Sequence, residues 1–164
     1  MNFSHYSRAP IEAVRDGNPN GRGGAYKPAG LWLSVDGEDD WPAWCSGEGW
    51  CCNVDLWHYR VNLAADANVL VLSTADEVCG FGGEYGKMLP REFFANIDWP
   101  RVALQHDGVI IAPYQWDCRL DDRVNWYYTW DCASGVIWKA RAIASIDLLG
   151  KTKFTARADE EEAA

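Results

Sequence analysis

The chain has 164 residues, 48% of them hydrophobic, which is enough to bury the core of one compact domain. Its formal net charge at pH 7 is −9, with 24 acidic and 15 basic residues. We therefore do not expect a surface that binds the phosphates of nucleic acids. No stretch approaches the ~18 apolar residues of a membrane span, and no apolar leader follows the start, so we expect a cytoplasmic protein without membrane contact.

Strands are predicted at residues 1–7, 31–35, 56–63 and 68–72, where apolar and β-branched residues alternate or run together. Short helices are predicted at residues 10–15, with proline in the first turn, and at 40–45, capped by Asp39 or Asp40. The segment 16–30 is dense in glycine and proline, which predicts a loop suited to a flap over a site.

In the second half, residues 80–83 predict a glycine turn rather than a phosphate cradle, and residues 90–96 predict a helix. Strands are predicted at 108–114, 125–130 and 134–146, with a polar loop at 115–123. Mostly strands with a few short helices indicate the α+β class. We expect one domain over residues 1–150 and an acidic, disordered tail over 151–164.

Cysteines and aromatic residues leave alternatives open. The six cysteines are expected to stay reduced, because no leader directs the chain to an oxidising compartment. Cys45, Cys51, Cys52 and His58 are the one group of zinc-ligand type, but they lack paired C-x-x-C units, so we interpret them as buried thiols and predict no metal. Ten tryptophans, seven tyrosines and five phenylalanines either fill a core or form a stacking surface for a planar or sugar-like ligand.

Several distinctive segments follow one another in a fixed order along the chain. In the first half they are His5-Tyr6-Ser7, Ile11, the loop to Gly30, the strand Gly30–Ser34 and the acidic turn and helix Asp39–Trp44. In the second half they are His106–Ile111 and Trp130-Asp131. This order resembles the ADP-ribosyltransferase-like family. Within this family, the order of segments resembles that of small phage and bacterial members, including ADP-ribosyltransferase-type anti-CRISPR proteins. This resemblance implies two mixed or antiparallel sheets that form a cleft, NAD as a substrate, and a protein acceptor.

Asp131 is the candidate catalytic residue. Cleavage of the bond between nicotinamide and ribose builds positive charge on the ribose ring, and a carboxylate held close stabilises that charge. Asp131 lies between Trp130 and Cys132, an apolar setting that a charge without a function would avoid. Its structural alternative is a turn or cap residue. Three other aspartates are better explained as part of a solvated loop: Asp117, Asp121 and Asp122.

The resemblance also implies residues that bind NAD. His5 would bind a ribose hydroxyl or the adenosine part, and Ser7 would contact the ligand or hold its strand. Ser34, at the end of its strand, would meet the nicotinamide ribose. Trp32, on the same face, or Tyr59 would stack on the nicotinamide ring, although core packing explains these two aromatic residues equally well.

Strand alternation separates the residues of the first segment. Tyr6 points to the face opposite His5 and Ser7, which predicts a core position for Tyr6. The alternative for His5 is an ordinary half-buried strand histidine.

Three functions remain open from the sequence. The first is an NAD-dependent mono-ADP-ribosyltransferase that modifies a basic or nucleic-acid-binding protein, which the resemblance extends to a phage-encoded inhibitor of a host defence system. The second keeps the fold without the chemistry and acts as an acidic inhibitor that mimics the charge of its partner's ligand. The third is a module that binds carbohydrate or nucleobases on its tryptophans.

Overall fold

A seven-stranded mixed sheet organises the chain in the computed structural model, which describes residues 1–19, 27–88 and 95–157. The strands are β1 (Phe3–Ser7), β2 (Leu31–Val35), β3 (Leu56–Leu63), β4 (Val69–Leu72), β5 (Gly86–Met88), β6 (Ala95–Ile97), β7 (Gly108–Ile111), β8 (Ser134–Ile137) and β9 (Ile143–Thr152). The large sheet has the order β4-β7-β8-β2-β1-β3-β9, and β5 pairs with β6 in a small antiparallel sheet. Among the strand pairs in the described part of the chain, only β4 and β7 are parallel. The predicted α+β domain with two sheets and few short helices is confirmed.

Three short α-helices begin at residues whose side chains cap them. They are α1 (Trp41–Gly47), α2 (Ala75–Tyr85) and α3 (Trp99–Ala103). The Asp40 carboxylate accepts from the Ala43 amide at the start of α1, and Thr74 and Glu77 form a reciprocal capping box on α2. Short 3₁₀ segments cover residues 116–118, 122–129 and 140–142. In the described part of the chain, no helix has the length and apolarity needed to cross a membrane.

The main core lies between one face of the large sheet, the helices α2 and α3 and the 3₁₀ segment at 122–129. Its aromatic centre consists of Phe81, Tyr85, Trp99, Tyr114, Trp126, Tyr127, Trp130 and Trp138. Most rings in this centre contact one another edge-on or tilted, for example Trp99 and Trp126 at 6.1 Å between centroids, while Tyr114 and Tyr127 are stacked at 5.3 Å. A large share of the aromatic residues therefore serves packing.

The packed structure continues past residue 150, where the sequence placed the domain boundary. Strand β9 runs to Thr152, and Phe154 is buried beside Leu56 and Cys45 in a small cluster under α1. The Asn53 amide donates to the Phe154 carbonyl at 2.8 Å, which fixes this segment to the domain. Of the predicted tail, residues 158–164 lie outside the described residues.

Two predicted strands have the predicted bounds, at residues 31–35 and 56–63, and Asp40 is the cap of α1. One helix prediction and one turn prediction were wrong. Residues 10–15 are irregular, and the Ile11 amide donates to the Tyr59 hydroxyl instead of continuing a helix. Residues 80–83 lie inside α2 rather than in a turn, because the capping box starts the helix upstream and Gly82 packs closely against Trp126.

The last strand predictions also need correction. Residues 122–129 form a 3₁₀ segment instead of part of a strand, and its apolar side chains face the core at Val124, Trp126 and Tyr127. The single strand predicted at 134–146 is two strands, β8 and β9, separated by the 3₁₀ turn at 140–142. Because apolar residues continue to alternate through that turn, the sequence pattern does not show where β8 ends and β9 begins. Of the helix predicted at 90–96, residues 90–94 lie outside the described residues, and β6 begins at Ala95.

Candidate functional site

A cleft of about 320 Å³ lies over the large sheet beside α1, within the usual size range of small-molecule sites. Its walls come from β1, β2, α1 and the segment that leads into β8. The lining residues are Ser4, His5, Tyr6, Lys27, Trp32, Leu33, Ser34, Trp41, Asp131, Cys132 and Ser134.

The cleft opens where β1 and β2 stop pairing. The two strands are in register at Phe3–Val35 and Ser4–Ser34, and at the next position the His5 ring contacts the backbone of β2. His5 Nδ1 lies 2.7 Å from the Trp32 carbonyl oxygen. A carbonyl only accepts, so Nδ1 carries the proton and donates, which leaves Nε2 as an acceptor in the neutral ring. Burial lowers the pKa of His5, so the neutral ring is favoured.

An ion pair lies at one end of the cleft. Asp131 Oδ2 accepts from Lys27 Nζ at 2.9 Å, and the two side chains are 31% and 38% exposed. The Lys27 ammonium also lies 5.3 Å from the centroid of the Trp32 ring, a cation–π contact. Trp32 in turn packs on the fully buried Trp130, with 5.0 Å between centroids. Asp131 is thus anchored by its buried neighbour and held beside a half-buried indole.

Aromatic residues form another wall. The Tyr6 ring stacks on His58 at 4.5 Å between centroids and lies 5.4 Å from Trp41 of α1. His58 Nε2 is 3.1 Å from Ser4 Oγ, which ties β3 to β1 beneath the cleft. Burial raises the pKa of Tyr6, so the phenol stays protonated. This wall offers flat apolar surface to a ring of a ligand.

The hydroxyl and thiol groups of the cleft have structural partners. Ser34 Oγ accepts from the Trp41 amide at 2.9 Å and so holds the first turn of α1 against β2. Ser134 Oγ donates to the Cys132 carbonyl at 2.9 Å. Burial raises the pKa of Cys132 to about 12, so at neutral pH it is a thiol and a poor nucleophile.

The structure brings together His5, Trp32, Ser34 and Asp131 of the predicted site residues. Ser7 and Tyr59 are not among the lining residues. Ser7 follows the cleft on β1, where its hydroxyl donates to the Ala9 carbonyl at 2.7 Å. Tyr59 is 5% exposed, so it has no open ring face for stacking.

The predicted core position of Tyr6 holds only in part: its ring packs against the small cluster around Phe154, with 5.3 Å between centroids, but it also lines the cleft. The reason is that the cleft lies over the face that Tyr6 shares with Ser4, while the His5 ring is drawn to the backbone of the neighbouring strand. The predicted alternation of side chains along β1 was thus correct, but the prediction of which face of β1 lines the cleft was not.

Sequence reasoning missed Lys27, Trp41 and Ser134. The register of β8 on β2 sets Ser134 opposite Ser34, a pairing that no local pattern displays. Lys27 lies within the glycine- and proline-rich segment 16–30, where a lysine ordinarily indicates a solvated loop. Trp41 had a detectable signal, since it begins the helix that Asp40 caps.

The competing aspartates lie elsewhere. Asp121 is paired with the Arg123 guanidinium, which holds the pKa of that carboxyl at about 2. Asp117 and Asp122 are exposed. None of these three described residues lines the cleft, so Asp131 is its carboxylate.

Other ligand groups are limited. All six cysteines are unpaired thiols, and burial raises the pKa of Cys45 to about 12. Across residues 1–19, 27–88 and 95–157, no three His, Cys, Asp or Glu side chains are grouped so that they would hold a metal ion. No family model, no curated protein and no solved structure matches the chain.

Proposed function

We propose that the cleft binds NAD and that the protein is an NAD-dependent mono-ADP-ribosyltransferase with Asp131 as the catalytic carboxylate. One observation carries the proposal: three separate parts of the sequence line the same cleft, with His5 on β1, Trp32 and Ser34 on β2, and Asp131 before β8. That cleft combines flat aromatic surface, hydroxyl groups and one carboxylate, the groups that a base joined to a ribose requires.

The charged pair suits a dinucleotide. Phosphate oxygens would attract the Lys27 ammonium, which is a point charge on a flexible stem. A ligand that takes Lys27 in this way frees Asp131 from its partner at 2.9 Å. The carboxylate is then available to accept from a ribose hydroxyl, while Trp32 or Tyr6 supports a planar ring.

In the proposed reaction, the bond between the nicotinamide nitrogen and the ribose C1′ breaks, and its electron pair leaves with nicotinamide. Positive charge then develops on the ribose ring, where the Asp131 carboxylate stabilises it. A nucleophilic atom of the acceptor protein forms the new bond to C1′ and loses its proton to solvent. The protonated Cys132 thiol takes no part as a nucleophile.

The proposal includes the acceptor and the location. A chain of net charge −9 attracts a basic acceptor, such as a protein that itself binds nucleic acid. Six unpaired cysteines support a reducing compartment, hence the cytoplasm. The resemblance to phage members extends the proposal to an inhibitor of a host defence system.

The test is nicotinamide release from NAD by the purified protein, with and without a bacterial lysate as a source of acceptor. We expect Asp131→Asn to lower the release rate by about 10²-fold or more, because the charge that stabilises the transition state is lost. The matched control is Asp122→Asn, which removes the same charge from an exposed site outside the cleft and should leave the rate unchanged. Equal rates for the two variants would contradict the catalytic role of Asp131.

A second candidate function is binding without turnover. The observation that favours it is the Lys27–Asp131 ion pair, which neutralises the carboxylate found among the described lining residues of the cleft. In that case the cleft is a module for a nucleobase or sugar, held on Trp32. Calorimetry with NAD, adenosine and a panel of monosaccharides, together with the nicotinamide-release assay, separates the two functions. NAD binding with nicotinamide release supports the transferase, and saturable binding without nicotinamide release supports the module.

A further inference from the structure

An exposed aromatic patch lies near the cleft, formed by Trp116, Arg119, Leu120 and Tyr128. The side chains of Trp116, Leu120 and Tyr128 are 60%, 80% and 52% exposed. The Arg119 guanidinium carbon lies 6.0 Å from the Trp116 ring centroid and 5.7 Å from that of Tyr128, so it bridges the two rings. Tryptophan, tyrosine and arginine are the residues that most often carry binding energy in protein interfaces.

Hydrogen bonds hold the patch in place and connect it to the cleft. Arg119 Nη1 donates to the Tyr114 hydroxyl at 2.9 Å, and that hydroxyl donates to the Trp130 carbonyl at 2.7 Å. These two hydrogen bonds connect Arg119 of the patch to the backbone of Trp130, the residue before Asp131. The Trp116 ring also packs edge-on against Tyr114, with 4.8 Å between centroids. A surface ordered in advance loses little entropy when a partner binds.

An acidic turn adjoins the patch. Trp116 Nε1 donates to the Asp39 carboxylate at 3.2 Å. Asp39 belongs to the turn between β2 and α1, where Asp36 and Glu38 are exposed. Two exposed carboxylates therefore lie close in sequence to a residue in direct contact with the largest exposed ring of the patch. These carboxylates attract cations, while Arg119 already occupies the space between the two rings of the patch.

We propose that the aromatic patch and the adjoining acidic turn dock a basic segment of a partner protein, rich in lysine or arginine with interspersed apolar side chains. Apolar groups of the segment cover Leu120 and the rings, while its cations meet Glu38, Asp39 and the overall charge of −9. The docking surface concerns binding alone, so it stands whether or not the cleft turns over NAD.

The test is fluorescence anisotropy with a labelled lysine- and arginine-rich peptide that carries interspersed leucines, and with the same peptide in which glutamate replaces each basic residue. We expect the basic peptide to bind, and Trp116→Ala or Tyr128→Ala to weaken binding at least about tenfold. Trp50→Ala is the matched control, because Trp50 is 58% exposed but contacts Trp44 rather than the patch. Circular dichroism of each variant confirms folding.

A second pair of variants separates docking from general attraction to an acidic protein. Glu38→Gln with Asp39→Asn removes two charges beside the patch, and Glu12→Gln with Asp66→Asn removes two exposed charges elsewhere. We expect the first pair to weaken binding several-fold more than the second. The proposal is overturned if the two pairs of charge variants have equal effects, or if Trp116→Ala and Trp50→Ala do. It is also overturned if the protein prefers the glutamate peptide or a labelled oligonucleotide to the basic peptide.

Discussion

The ten tryptophans of this protein range from fully buried to mostly exposed, and the two extremes have different consequences. Trp99, Trp126, Trp130 and Trp138 are at most 2% exposed and form the centre of the core. Trp50 and Trp116 are more than half exposed. Composition shows neither set, because an indole in the core and an indole on the surface look alike in the sequence. The division predicts which tryptophans stabilise the fold.

We expect Trp138→Ala to lower the free energy of unfolding by about 3–5 kcal/mol, because it leaves a large cavity. It also removes the donor to the His106 carbonyl, which Trp138 Nε1 contacts at 2.8 Å. Trp50→Ala, at an exposed position, should change stability by no more than about 0.5 kcal/mol. Urea denaturation followed by circular dichroism measures both. A loss of stability for Trp50→Ala as large as for Trp138→Ala would contradict this assignment of the core.

At the scale of single elements, α2 shows how a local pattern misleads. Its glycines resemble a turn in the sequence, yet Thr74 and Glu77 cap a helix that runs through them. The three glycines differ in surroundings. A Cβ on Gly82 would lie 2.8 Å from Trp126 Nε1, whereas nothing lies within 4 Å of a Cβ on Gly80 or Gly83. The helix thus needs a glycine only where it meets the indole.

Substitution of these glycines should therefore have opposite effects. Gly80→Ala and Gly83→Ala should each raise the free energy of unfolding by up to about 1 kcal/mol, because alanine favours a helix. Gly82→Ala should lower it by about 1–3 kcal/mol, since the methyl group forces apart α2 and a fully buried ring. Thermal and urea unfolding of the three variants test this. Stabilisation by Gly82→Ala would mean that α2 and Trp126 are not in close contact.

At the scale of the whole molecule, two histidines couple folding to pH. Burial lowers the pKa of both His5 and His58 below the ordinary value of 6.5, against smaller opposing effects of a hydrogen bond or a nearby carboxylate. The unfolded chain then binds protons at a higher pH than the folded chain. Stability is fully present above pH 6.5 and is lost as the pH falls through the lower folded pKa values.

We expect the free energy of unfolding, measured by urea denaturation across this interval, to decline as the pH falls below 6.5. His5→Asn should flatten the decline, because its amide nitrogen replaces Nδ1 as the donor to Trp32 but does not titrate. His58→Asn should remove a further part. Asp121 and Glu77 have lowered pKa values from ordinary values of 3.8 and 4.5, so they act at lower pH. An unchanged slope in both histidine variants would contradict the prediction.

Local features of the sequence determined β2, β3 and an aspartate cap at the start of α1, with Asp39 and Asp40 both open, because alternation and capping are visible within a few residues. They also marked Asp131 as a charge between apolar neighbours, which made it a candidate. Only the tertiary structure decided that Tyr6 faces the cleft, that Lys27 pairs with Asp131 across 104 positions of the chain, and that Trp116 meets Asp39. The physical reason is that strand order and register bring such residues together. Those depend on the packing of the whole core rather than on any one segment.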